Sequence, residues 1–113
     1  MVREPKNKAK VLEEAFAGRA DQKHHFKLYL VSGAKNSLRA IENLRALCEV
    51  YLADRYELEM IDVRKRPQAA RRAQIVAAPT LVKELPLPIR RFIGDLSDVD
   101  RILWALDLSS TQE

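Results

Sequence analysis

Sulfur is nearly absent from this chain. Its 113 residues include one cysteine, Cys48, and two methionines. A single thiol excludes an internal disulfide, a Cys-x-x-Cys redox pair and a zinc site built on cysteines. Glycine is almost as scarce: Gly18, Gly33 and Gly94 stand far apart, so no glycine-rich loop cradles a phosphate. No apolar run approaches the roughly 20 residues that cross a bilayer. The opening MVREPKNKAK is charged and no apolar stretch follows it, which argues against a secretory leader. These absences lead to the expectation of a cytoplasmic protein with no membrane segment, cofactor or metal.

What is present fits one globular domain. Apolar residues make up 47% and charged residues 32%, too apolar for a disordered tail. The formal net charge is +4, from 20 basic and 16 acidic side chains, and it is unevenly placed. Residues 64–74 (RKRPQAARRAQ) hold Arg64, Lys65, Arg66, Arg71 and Arg72 with no acid, whereas 95–113 hold Asp95, Asp98, Asp100, Asp107 and Glu113 against Arg101. Such asymmetry steers an acidic partner. It does not indicate nucleic acid, because the basic stretch has no aromatic to stack on bases and no reader motif.

Periodicity divides the chain into an arm at 1–25, a domain at 26–109 and a short tail at 110–113. In the arm, Val11, Leu12, Ala15 and Phe16 fit one side of a helical turn pattern that Gly18 can stop. His24 and His25 are adjacent, a spacing that does not suit a metal, and read as a solvated pair. Phe26–Val31 alternates as a strand. The turn at Ser32–Ser37 puts Asn36 or Ser37 at a helix cap. Leu38, Ile41, Leu44, Leu47, Cys48, Tyr51 and Leu52 then make the apolar stripe of a helix to Ala53. A second strand covers 56–63, and Pro67 suits the first turn of a short helix ending at Gln74. Strands at 80–84 and 89–93 follow, separated by Leu85-Pro86-Leu87-Pro88, which two prolines keep out of a central strand. Ser97-Asp98-Val99-Asp100 opens the last helix, with Val99, Ile102, Leu103 and Leu106 as its buried stripe. The order β-α-β-α-β-β-α is that of a thioredoxin-like α/β domain with a mixed four-stranded sheet. A thioredoxin carries its cysteines in the turn after the first strand. Here that turn is Ser32-Gly33-Ala34-Lys35, and no thiolate can form. Ser32 and Ser37 are the only nominal groups there for glutathione chemistry, and capping accounts for Ser37.

Several stretches in this order resemble the KaiB family. They are Lys27-Leu28-Tyr29-Leu30-Val31, Asn36-Ser37-Leu38-Arg39-Ala40, Ile61-Asp62-Val63 with Pro67-Gln68, and Ala78-Pro79-Thr80-Leu81. Leu85-Pro86-Leu87-Pro88-Ile89-Arg90-Arg91, Ile93-Gly94-Asp95-Leu96-Ser97 and Leu106-Asp107-Leu108 complete the match. The resemblance implies a non-catalytic protein that binds a KaiC-type RecA-like ATPase and modulates its phosphorylation or ATP turnover, in circadian-like timing or stress adaptation. It also implies a second, self-associating fold reached by rewiring the C-terminal half, and so a homo-oligomer. The alternatives are a thioredoxin-like adaptor for another partner, such as a sensor histidine kinase, and a degenerate glutathione-dependent protein.

On this reading the partner-binding residues are Glu57, Glu59, Arg64, Arg71, Arg72, Lys83, Arg90 and Arg91, with Lys83 joining the two arginines in a surface patch. Glu57 and Glu59 stand where clock members tend to be neutral or basic, and Arg71 and Arg72 replace acids. These reversals favour a partner with compensating charges over the cyanobacterial clock itself. Pro79 is expected to be cis by resemblance, the alternative being a trans proline that starts a strand. Ala105 replaces a family glycine inside the last helix, which favours the thioredoxin-like arrangement, since glycine costs roughly 1 kcal/mol there. Asp62 ends a strand and caps the next turn, and Cys48 is a buried, inert thiol.

Overall fold

A computed structural model describes residues 23–108. The amphipathic pattern around Val11 and Phe16 and the tail at 110–113 lie outside the described residues. The elements are β1 (His24–Leu30), α1 (Lys35–Tyr51), β2 (Tyr56–Asp62), α2 (Pro67–Arg72), β3 (Thr80–Leu85), β4 (Arg90–Ile93) and α3 (Val99–Ala105), the order expected. The sheet runs β2-β1-β3-β4. β1 lies parallel to β2 and antiparallel to β3, and β3 lies antiparallel to β4. The parallel pair demands a crossover, and α1 supplies it.

Alternation along the strands sends side chains to two cores. Phe26, Leu28 and Leu30 pack with Leu81 against Leu44, Leu47 and Cys48 of α1 and Ile102 and Leu103 of α3. Tyr29, Ile61 and Val82 point the other way and are covered by Ala70 of α2. The sheet thus sits between α1 and α3 on one face and the shorter α2 on the other.

Several boundaries differ from the sequence reading, each for a local reason. β1 begins two residues early because its ladder with β2 extends to Tyr56, and the His24 N–H donates to the Arg55 carbonyl at 2.9 Å. His24 is consequently buried at 1% exposure, its ring 5.8 Å from that of Phe26. It is not half of a solvated pair. α1 begins at Lys35, with Ala34 as a cap that offers no side-chain bond. Ser37 lies inside the helix, where its buried Oγ accepts from the Val31 N–H at 3.0 Å. It closes the strand-to-helix turn, which Gly33 enters at φ +82°. Starting the helix there turns Leu38 outward, 50% exposed, so it does not belong to the buried stripe.

α2 ends at Arg72, two residues earlier than expected, and Gln74 takes a positive φ of 58° just beyond it. α3 begins one residue later than expected, within the box: Asp98 is the cap, its carboxylate accepting from the Arg101 N–H at 3.4 Å. Ser97 is held in the preceding turn by the Asp95 carboxylate. Residues 99–105 are helical, and Ala105 is the last of them, at the helix end and not in its interior. The full interior cost of a glycine therefore does not transfer to that position.

Leu44 and Leu38 separate the two faces of α1. Leu44→Ala is expected to destabilise by about 3 kcal/mol, and Leu38→Ala by well under about 1 kcal/mol, in urea unfolding of the full chain.

Candidate functional site

The loops at the C-terminal ends of β1 and β2 are locked together by Asp62. Its Oδ2 accepts from the Ser32 N–H at 3.1 Å, and its Oδ1 from the N–H groups of Arg64 at 2.8 Å and Lys65 at 3.4 Å. The Ser32 side chain and then the Arg64 N–H hold its carboxyl down at about 2. Among the described residues its hydrogen bonds run to the loops it joins, so Asp62 is a clasp, in line with its reading as a turn cap. Cys48 lies on the inner side of α1, and burial pushes its thiol up to about 12. At neutral pH it is a neutral, enclosed thiol, unfit for disulfide exchange.

The charged residues singled out from the sequence fall into two groups. The first follows β2 into the loop and α2. Glu57 meets the Lys23 Nζ at 2.8 Å and the His25 Nδ1 at 3.4 Å. The hydrogen bond from Lys23, then the Lys23 and His25 charges, lower its carboxyl. Glu59 receives the Arg66 Nη1 at 3.1 Å, which ties strand to loop. Arg64 is exposed in that loop, and Arg71 and Arg72 are exposed in the last turn of α2. Lys65, Arg66 and Arg72 line a shallow depression of about 400 Å³ with Pro67, Gln68 and Ala69. This region is a continuous surface, acidic along the β2 edge and basic across the loop and α2.

The second group does not hold together as a patch. Lys83 is only 4% exposed. β3 is an inner strand, and Lys83 stands in register between Phe26 of β1 and Arg90 of β4. The expectation of Lys83 as a surface cation is therefore corrected. Arg91 leaves the sheet edge and reaches α2, its Nη1 donating to the Gln74 carbonyl at 3.2 Å and its Nη2 to the Ala73 carbonyl. A guanidinium on the carbonyls that end a helix satisfies orphan acceptors and complements the helix dipole. Arg90 is exposed on the other side of the strand. Pro79 is buried and its peptide bond is cis, as the resemblance implied; the bonds before Pro86 and Pro88 are cis as well.

Sequence reasoning missed the contacts among these strands, namely the ion pairs of Lys23 with Glu57, Arg66 with Glu59, and Lys27 with Glu84 at 3.3 Å, and the His25 ring beside Glu57. Alternation marks His25 and Lys27 as one face. Only the register of β1 against β2 and β3 reveals which acids they meet.

Comparison with known proteins agrees with the fold and names a family. A model described as the KaiB domain matches residues 27–108. The circadian clock oscillator protein KaiB of Synechococcus elongatus is 50% identical over 82 residues, covering 73% of this chain and 80% of that protein. The protein of the same name from Prochlorococcus marinus is 49% identical, covering 73% of this chain and 78% of its own. Among solved structures, the N-terminal domain of Synechococcus elongatus SasA superposes with a TM-score of 0.64 at 20% identity, covering 81% of this chain and 88% of that one. Chloroplastic thioredoxin z gives 0.62 at 21% identity, covering 87% and 88%. At such identities these two likenesses show a shared thioredoxin-like fold and no shared chemistry.

Asp62 sets an acid limit on this surface. Its folded value of about 2 lies below the ~3.9 of an unfolded aspartate. Its contribution is therefore complete above about pH 4 and is lost as pH falls toward 2. Asp62→Asn is expected to lower stability at neutral pH and to flatten the loss between about pH 4 and 2. Urea midpoints across that range, variant against wild type, check this.

Proposed function

The chain belongs to the KaiB family, and from that membership we propose that it acts without catalysis, by docking on a KaiC-type RecA-like ATPase and shifting its phosphorylation or ATP turnover. Its curated relatives are circadian clock oscillator proteins. The observation that carries the reading is the extent of the family match, 27–108, over nearly all of the described fold. The buried Cys48 thiol and a first turn made of Ser32, Gly33, Ala34 and Lys35 support a role in binding over thiol chemistry.

The surface offered to this partner is β2, the loop after it and α2. Glu57, Glu59, Arg64, Arg71 and Arg72 are all exposed there. Arg71 and Arg72 sit in the last turn of α2, and Arg91 holds the Ala73 and Gln74 carbonyls just beyond it. Arg91 acts as the support of that surface, and Arg90 lies outside it. Docking of this kind works by mass action, and the ATPase shifts only as far as its two states differ in affinity for the chain. A partner matched to this charge pattern carries acids opposite Arg71 and Arg72.

Titration of the full chain into a purified KaiC-type ATPase from the same genome, with ATP present, is expected to show saturable binding. Arg71→Glu with Arg72→Glu is expected to weaken it by about tenfold or more, roughly 1.4 kcal/mol. Absence of binding at about 0.1 mM, with binding instead to a sensor histidine kinase, would move the chain to the adaptor reading. An unchanged affinity in the double variant would remove α2 from the interface.

A further inference from the structure

The connection from β3 to β4 is apolar throughout. Leu85-Pro86-Leu87-Pro88-Ile89 holds no charged or hydrogen-bonding side chain, although connecting segments run over the surface in contact with water. Leu85 is 46% exposed, Leu87 71% and Ile89 58%. Three large apolar side chains open within five residues are a patch and not a scatter. A patch of this kind rimmed by polar groups marks a contact surface, and Glu84 and Arg90 are the rim here. β1 separates β3 and β4 from β2, so the β2 and α2 surface does not account for it.

Beside the patch is the point where the chain enters β1. His25 is in register with Leu85, so residues 1–22 join the sheet next to this connection. That arm carries Val11, Leu12, Ala15 and Phe16 on one side of a helical pattern. A helix so short does not hold in water by itself; burial of its apolar stripe is what orders it. Seven residues, Ala17–Lys23, separate Phe16 from β1. They reach up to about 24 Å, and Gly18 among them lets the chain turn back. A tether of that length sets an effective concentration on the order of millimolar. A contact too weak to form between separate molecules therefore forms within one. Charge agrees as well: Glu13 and Glu14 flank the stripe on its two sides, opposite in sign to the exposed Arg90 on the rim.

We propose that the N-terminal arm folds back within its own chain and seats Val11, Leu12, Ala15 and Phe16 on Leu85, Leu87 and Ile89. The contact closes the apolar surface and ties the start of β1 to the connection between β3 and β4. It leaves β2 and α2 open to a partner and does not rest on the identity of the ATPase.

Paired cysteines on the two sides of the tether test this. Ala53 is the control, exposed in the turn before β2 and two residues from Arg55, whose carbonyl takes the His24 N–H. Full-length Ala15→Cys with Leu87→Cys, and full-length Ala15→Cys with Ala53→Cys, are oxidised with diamide in dilute solution, Cys48 being buried in both. The intrachain disulfide is expected to form at least about tenfold faster in the Leu87 pair. Adding Leu12→Ser and Phe16→Ser to each pair is expected to remove that difference, with a cooperative urea transition retained. Equal rates in the two pairs overturn the proposal, and so does an advantage that survives the two serines. Singly substituted Ala15→Cys and Leu87→Cys chains, mixed at the same concentration, are expected to stay uncrosslinked. A disulfide between chains at a comparable rate would give the patch to a second copy and overturn the proposal as well.

Discussion

The last three residues of β1 have no face open to water, and the rest of the molecule is arranged to satisfy that. Leu28, Tyr29 and Leu30 are all almost fully buried, although neighbours on a strand point to opposite sides. Both faces of the sheet must then be covered at its centre. α1 and α3 cover one with a continuous apolar layer. The other receives only α2, six residues long, which shields Tyr29, Ile61 and Val82 and little beyond. The remainder of that face is wet, and it is there that Lys27 pairs with Glu84, and Lys23 and His25 with Glu57. A helix too short for its sheet thus creates the charged surface that adjoins it.

The same economy accounts for what a thioredoxin-like frame does without sulfur. In this chain the two loops at the top of the parallel strands are joined by a carboxylate accepting from backbone amides, with no redox pair between them. Charge-assisted bonds of this type are stronger than neutral ones. They fix the path of the chain into α2 while leaving nothing there that can donate an electron or a thiolate. What such a frame can still vary is the sign and placement of its exposed charges, and those distinguish Arg71 and Arg72 here.

Much of this was legible beforehand, and the misjudged exposures share one cause. Local signals placed the elements: alternation at Phe26–Val31, a broad apolar stripe from Leu38 to Leu52 of which Leu38 proved exposed, Pro67 in the first turn of α2, and two prolines between β3 and β4. The misreadings of His24, Leu38 and Lys83 all concern exposure. Each was judged by residue type, whereas burial was decided by strand order and register, which single-chain periodicity does not contain. Lys83 shows this best. A lysine beside two arginines reads as a cationic patch until β3 proves to be an inner strand.

Arg91 has a consequence that extends past the helix it holds. Its side chain spans from residue 91 back to the carbonyls of Ala73 and Gln74, across separations of 18 and 17 positions in the sequence. Peeling β4 from the sheet withdraws that guanidinium and strands two acceptors at the end of α2. The order of the last strand and the order of the helix are in this sense a single variable. The C-terminal third of the polypeptide carries a mechanical linkage to a surface in its middle, made by one side chain.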